Sequence, residues 1–401
     1  MSDSRSWKLA RSLAAAGDAV TVVARERDDL PESEQRDGFT LVRIAQPRPL
    51  AWLPAPGLPP AHQATTGWLA RLGGRLRNSV GRAAQAFRYL LLTRQWAARI
   101  ASVVPGADVW QSEGLITLPV ALRLRQKLGG RVVYDSRDLH VESVGFARLP
   151  RPWRRLLGWR ERRWGQAADA VVTVSQPYAE VLERSIGRTP TIVMNGPIAW
   201  ERPAQPPRLF HERLGLDSLT RVVLYLGAIT AHRGVEQLIE AIPLVDRAVL
   251  VLIGDGPLKA RCHDLAMASA ARDLVHFLPA APPDQILPLT AAADVSAMPV
   301  IGTTLNHRLN TPTKLFDAMG AGTPVVASDL PGMGPIVRDS GCGVLCDPTS
   351  PVDIARAIHE IVDASDERRL AYREACLAAA AGTYAWERQV ERLLALYEQI
   401  R

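Results

Sequence analysis

Short apolar runs that end on glycine or a polar turn, each followed by a helix-length amphipathic stretch, recur along nearly the whole chain. That alternation restricts it to an open, mostly parallel α/β sheet with helices on both faces. Strands are expected at 20–24, 39–44, 108–111, 131–134, 170–174 and 191–194, and again at 222–226, 249–253, 275–278, 294–298, 324–327 and 343–346. A chain of 401 residues exceeds one ordinary core, and 47% hydrophobic residues are enough to fill two. The proline-rich stretch 197–207 divides the strand series. Two doubly wound, Rossmann-like domains facing across a cleft are therefore expected, at 1–198 and 199–380, with a closing helix at 381–401 packing back towards the first. Helix-forming sequence begins almost at Met1, where such a domain normally opens with a buried strand, so the first strand is expected to be missing.

Composition narrows the function classes. No apolar run approaches the ~20 residues that span a bilayer, and the basic–apolar–small pattern of a secretory signal is lacking, so a soluble cytoplasmic protein is expected. Cys262, Cys342, Cys346 and Cys376 lack zinc-ligand spacing and read as buried reduced thiols, with no metal implied. The net charge of +7 is unevenly placed. Arg71, Arg75, Arg77, Arg82, Arg88, Arg94 and Arg99 fall in one acid-free stretch. Arg148, Arg151, Arg154, Arg155, Arg160, Arg162 and Arg163 fall in another, opposed by Glu161 alone. Tryptophans interleave both. No nucleic-acid motif accompanies them, which leaves a solvated arginine face or docking to an anionic membrane surface, at the inner side of the cytoplasmic membrane.

Four segments carry candidate chemistry. In 310–329, NTPTKLFDAMGAGTPVVASD, a polar loop opens a helix whose first N–H groups and dipole suit a diphosphate, and Lys314 adds a cation. Asp317, one turn in, either accepts from sugar hydroxyls or merely favours the dipole. In 224–241 a strand ends at Gly227 and a loop carries His232 and Arg233; the arginine either points into the ligand crevice or is a surface group. The turn Gly254-Asp255-Gly256-Pro257 is a poor dinucleotide fingerprint, because Lys259 stands at the third glycine position. No Walker-type loop and no Asp-x-Asp pair exist, so a leaving diphosphate would rely on arginine, lysine and helix ends. After the strand ending at Tyr134, the loop with Asp135, Arg137, Asp138 and His140 gathers ionisable groups that either meet an acceptor or serve as caps and core polar groups.

Taken together, these segments resemble glycosyltransferase family 4, retaining enzymes of the GT-B fold. YLGAITAHRGVEQLIEA resembles the glycine–basic–glycine donor motif, IGDGPLKARCHDL its Gly-x-Gly-Pro turn, and VHFLPAAPPDQILPLTAAADVSAMPV the strand and helix beside the nucleobase, which would bring in Leu278. NTPTKLFDAMGAGTPVVASDLPG resembles the Pro-x-Lys form of the donor loop. The resemblance implies metal-independent transfer, with retention, from a nucleoside diphosphate sugar that is a co-substrate, with no cofactor, to a hydroxyl acceptor, lipid-linked or soluble. It implies Arg233 and Lys314 on the diphosphate and Asp317 on the ribose, with Gly227, Gly254, Gly256, Thr311, Pro312 and Thr313 around the donor. Asp135, Arg137, Asp138 and His140 would lie on the acceptor side. The chain departs from the family pattern: Leu309 and Ala228 replace an acid and a base, and Gln111 or Glu113, Arg137 and Pro335 stand at other usual polar positions. A catalytically impaired relative that binds nucleotide sugar or a partner protein is thus the alternative.

Overall fold

The computed structural model describes residues 4–27, 29–45, 91–147, 149–203 and 205–401. The proline-rich stretch 47–60, Arg71, Arg75, Arg77, Arg82, Arg88 and Arg148 lie outside the described residues. The chain forms two compact units. One comprises Ala10–Asp135, Trp164–Ala170 and Ile400–Arg401; the other comprises Met1–Leu9, Ser136–Arg163 and Val171–Gln399.

In the smaller unit β1 (Thr21–Arg25), β2 (Ser33–Arg36) and β3 (Phe39–Ile44) form a sheet of order β1-β3-β2. β1 runs parallel to β3 and β2 antiparallel to it. β2 is absent from the sequence-based expectation because its four residues, SEQR, are polar and mostly exposed, with no apolar alternation to mark them. The signal that fixes it is the turn. Asp37 (φ 50°) and Gly38 (φ 86°) take the two left-handed positions of a tight hairpin between paired Arg36 and Phe39. Arg43 then binds Glu34 across the pair at 2.6 Å. β4 (Val109–Glu113) and β5 (Arg131–Ser136) are parallel neighbours. The crossover helix Leu118–Leu128 between them has proline in its first turn and buries Leu118, Leu122 and Leu124.

β6 (Ala170–Thr173), which belongs to the larger unit from Val171 on, runs parallel there to β7 (Thr191–Ile192). The remaining strands are β8 (Arg221–Leu226), β9 (Ala248–Ile253), β10 (Val275–Leu278), β11 (Val295–Met298), β12 (Val325–Ser328) and β13 (Gly343–Cys346). They make one sheet of order β10-β9-β8-β11-β12-β13, parallel throughout. Both faces are covered: Tyr225, Leu238, Leu250 and Ile358 pack on one side, and Phe210, Leu224, Val251 and Ile253 on the other. That two-sided burial is why β9 reads AVLVLI with no polar alternation. The strand order turns back between β8 and β11. At such a reversal the loops leaving the two strands diverge, and the crevice left at their carboxyl ends is where open α/β sheets hold ligands.

The chain's first helix, Ser4–Ala15, begins in the larger unit. There Arg5 donates to the Val193 carbonyl (2.9 Å) and to Asn195 Oδ1 (2.8 Å). Lys8 donates to the Gly196 carbonyl at 2.8 Å and lies over the Trp386 ring at the start of the closing helix Trp386–Ile400. Among the described residues no helix is long and apolar enough to cross a membrane. All four cysteines are buried and none forms a disulfide.

Candidate active site

The turns that leave β8 and β9 interlock. Gly227 N–H donates to the Ile253 carbonyl and Ile229 N–H to the Asp255 carbonyl, both at 2.9 Å. A Cβ on Gly254 (φ 152°) would stand 2.0 Å from the Gly227 carbonyl oxygen, and one on Gly256 (φ 155°) 2.3 Å from that of Ile229. Both clashes are with backbone that has no room to yield, so glycine is required at each position. Gly254→Ala is expected to lower the melting temperature by several degrees, as about 1–3 kcal/mol of strain does in a chain of this size. A thermal melt indistinguishable from the parent would show that the two turns separate easily.

Against this glycine scaffold lies Lys314, in the first turn of the helix Thr313–Ala321 that follows β11. Its Nζ is 3.7 Å from the centre of the Tyr225 ring and 3.3 Å from where a Gly227 Cβ would be, so a side chain at 227 would displace it. Burial, reinforced by the charge of Arg233, brings the Lys314 ammonium down to about 7. Neither Lys314 nor Arg233 makes an ion pair or hydrogen bond among the described residues, and both keep part of their surface open. Two cations of like sign thus share a recess with no carboxylate between them, an arrangement that favours a bound anion.

The helix adds to this. Its N-cap position is Pro312, and no side chain caps the first turn. Thr311, 2% exposed, buries a hydroxyl that has no hydrogen-bond partner among the described residues. An unfilled buried hydroxyl beside uncapped N–H groups is anomalous unless a ligand completes it. One turn on, Asp317 is half-buried and accepts no hydrogen bond among the described residues. Burial raises its carboxyl to about 6, against the opposing pull of Lys8. A carboxylate so placed, open but poorly solvated, gains from hydroxyl donors.

The loop after β5 is tied to Asn306, which precedes the helix bearing Lys314. Asp138 Oδ1 accepts from Asn306 Nδ2 (3.1 Å), and Asn306 Oδ1 accepts from Leu139 N–H and from the Tyr178 hydroxyl (each 2.7 Å). Asp138 and Arg233 both act electrostatically on Tyr178 and on His307, whose imidazole is pushed down by burial. Nδ1 of His307 meets Thr303 Oγ1 at 3.0 Å, and its ring lies 5.8 Å from that of His232. The His140 Nε2 is shielded from solvent without a partner among the described residues, and burial lowers its pKa, which favours the neutral imidazole.

The geometry therefore brings together Gly227, Arg233, Gly254, Gly256, Thr311, Pro312, Thr313 and Lys314, with Asp317 a turn deeper, and sets Asp138 near Arg233. Asp135 stands apart: it belongs to the smaller unit, is fully buried, and accepts from Gln111 at 3.3 Å. Arg137 is half-buried with a partner of its own. Leu278 packs with the apolar cluster under β9. Sequence reasoning missed Lys8, Tyr178, Tyr225 and Asn306. Only Asn306 left a trace, as a polar residue just ahead of the donor loop; the others act through contacts distant in sequence.

A doubly wound sheet with paired glycine turns, two cations free of ion pairs among the described residues and an uncapped helix end at its switch-point crevice has the fold of a GT-B glycosyltransferase. Comparison with known proteins agrees. Residues 5–197 match the profile of Glycosyltransferase Family 4, and residues 208–376 match that of Glycosyl transferases group 1. The chain belongs to glycosyltransferase family 4. It is 28% identical to a D-inositol 3-phosphate glycosyltransferase of Segniliparus rotundus over 96% of this chain and 81% of the relative. It is also 28% identical to a namesake from Acidothermus cellulolyticus over 97% and 83%. Among solved structures it resembles sucrose-phosphate synthase from Thermosynechococcus elongatus (TM-score 0.72, 19% identity, 99% of this chain and 92% of the other). It also resembles WaaG, a glycosyltransferase of lipopolysaccharide biosynthesis (TM-score 0.62, 17% identity, 98% and 94%). Anabaena Alr3699/HepE, solved with UDP, has the same fold (TM-score 0.63, 17% identity, 77% and 82%).

Proposed function

We propose that this enzyme moves a sugar from a nucleoside diphosphate sugar to a hydroxyl acceptor with retention of configuration. The observation that carries the reading is the convergence of Arg233 and Lys314, both without counter-ions among the described residues, on the glycine turns and the uncapped helix end. The departing diphosphate would lie there, its charge met by the two side chains and by backbone N–H groups at Thr311 and Thr313 and at Gly256. So much fixed positive charge supports departure without a divalent cation or cofactor. Asp317 would accept from the ribose hydroxyls, and Leu278 would flank the base. In a front-face displacement the leaving phosphate oxygen takes the acceptor's proton as the new glycosidic bond forms, so a neutral His140 and a hydrogen-bonded Asp138 orient the acceptor and need not act as strong bases. The UDP in the Alr3699/HepE structure and the D-inositol 3-phosphate, a polyol phosphate, in the relatives' names support a nucleotide donor and a hydroxyl acceptor. A lipid-linked acceptor at the inner face of the cytoplasmic membrane fits the arginine- and tryptophan-rich sequence.

A thermal-shift screen against UDP, GDP, ADP, dTDP and their common sugars tests the donor, because native-state binding raises stability by mass action. One nucleotide is expected to raise the melting temperature, and its sugar to yield a product of unchanged anomeric configuration by proton NMR. If no nucleotide diphosphate shifts the melt at millimolar concentration, the donor assignment fails; an inverted product sinks retention alone.

A further inference from the structure

The helix Arg151–Ala167 turns one face to solvent. Its exposed residues are 151, 152, 155, 156, 159, 162, 163, 166 and 167, the spacing of a single helical stripe. Along the middle of that stripe lie two large apolar groups, Leu156 (44% exposed) and Trp159 (49%). Arg151, Arg155, Arg162 and Arg163 flank them. The Trp159 ring is held beneath the guanidinium groups of Arg160 and Arg163, 5.5 and 5.3 Å from its centre. The helix's one acid, Glu161, is buried away from this face. Glu142, on the preceding turn, is engaged by Arg154. Among the described residues Arg151, Arg155 and Arg162 have no ion pair.

We propose that this face docks on the surface of an anionic phospholipid bilayer. A merely solvated helix would gain nothing from a half-exposed tryptophan and leucine, and four like charges without an acid repel one another. A polyanion such as nucleic acid would answer the arginines and leave Leu156 in water. Only an anionic interface answers both: guanidinium groups meet lipid phosphates, the indole sits at headgroup depth, and the leucine enters the acyl boundary. Charge complementarity and apolar anchoring thus coincide on one stripe. The inference rests on the lipid-linked acceptor of the proposed function for its purpose. Vesicle binding is measured without donor or acceptor, so failure of docking and failure of sugar transfer are seen separately.

The test is co-sedimentation of the full chain with phosphatidylcholine vesicles, with and without phosphatidylglycerol. Binding is expected on the anionic vesicles and should weaken with added salt. Leu156→Ser with Trp159→Ser should weaken it by on the order of tenfold or more. Arg155→Gln with Arg162→Gln should weaken it about fivefold per charge. Equal binding to neutral vesicles, or undiminished binding of both variants, overturns the proposal. So does loss in the arginine variant alone together with full competition by single-stranded oligonucleotide, which would mark a polyanion site. If the serine variant melts early, the arginine pair decides, since those side chains lie wholly on the exposed stripe.

Discussion

Replacing Arg233 by alanine is expected to lower kcat by about a hundredfold, and replacing Lys314 by methionine by a similar factor. Each loss corresponds to about 2.7 kcal/mol of transition-state stabilisation. Charge on the diphosphate grows as the glycosidic bond breaks, so a fixed cation stabilises the transition state more than the bound donor, and kcat should fall further than KM rises. The two losses should not add in full, because both side chains act on the same leaving group. Lys314 gives the sharper test. Its ammonium is held beside Arg233 with no counter-ion, so it opposes folding in the free enzyme. Methionine keeps the chain length over the Tyr225 ring and removes that charge. The Lys314→Met enzyme should therefore melt at or above the parent temperature while turning over far more slowly. Parallel falls in stability and activity would indicate a structural role, and near-parental turnover in both variants would remove the diphosphate from this recess.

Much of this was legible in the order of residues, for identifiable reasons. Buried parallel strands announce themselves as unbroken apolar runs, so β8 to β13 fall close to the expected spans. Gly227, Gly254 and Gly256 follow strand ends, and close backbone approach is what glycine at that place signifies. The cation pair was visible as two short motifs some eighty residues apart. What brings them together is the reversal of strand order at β8 and β11, which no local pattern encodes. The polar strand β2 went unread because an exposed edge imposes no alternation, although Asp37-Gly38 was there as a turn signal. Tyr225 opens the glycine–basic–glycine run and lies at the end of a strand, but nothing local assigns its ring to Lys314. Likewise Asn306 and Tyr178 hold Asp138 through pairings of 168 and 128 residues' separation, and periodicity carries no information over such spans.

The same two ionisable groups set a narrow pH window for the free enzyme. Asp317, raised to about 6, must be ionised to accept from ribose hydroxyls, so kcat/KM should fall as the pH drops below that value. Lys314, lowered to about 7, must be protonated to hold the diphosphate, so kcat/KM should also fall as the pH rises above it. A bell with limbs near 6 and 7 follows, since kcat/KM reports groups in the free enzyme. Binding shifts the second limb. An anion beside Lys314 favours its charged form and raises its pKa in the complex. Donor binding near pH 8 should therefore draw about one proton from solution, whereas near pH 6, where the lysine is already charged and about half of the Asp317 carboxyls must give up a proton, uptake should turn into net release. Calorimetry of nucleotide-sugar binding in buffers of different ionisation enthalpy measures that proton directly. Lys314→Met should abolish the uptake and remove the basic limb, and Asp317→Asn should remove the acidic limb at reduced activity. A flat kcat/KM between pH 5 and 9 with no proton uptake would mean that neither group meets the donor, whatever the geometry of the recess.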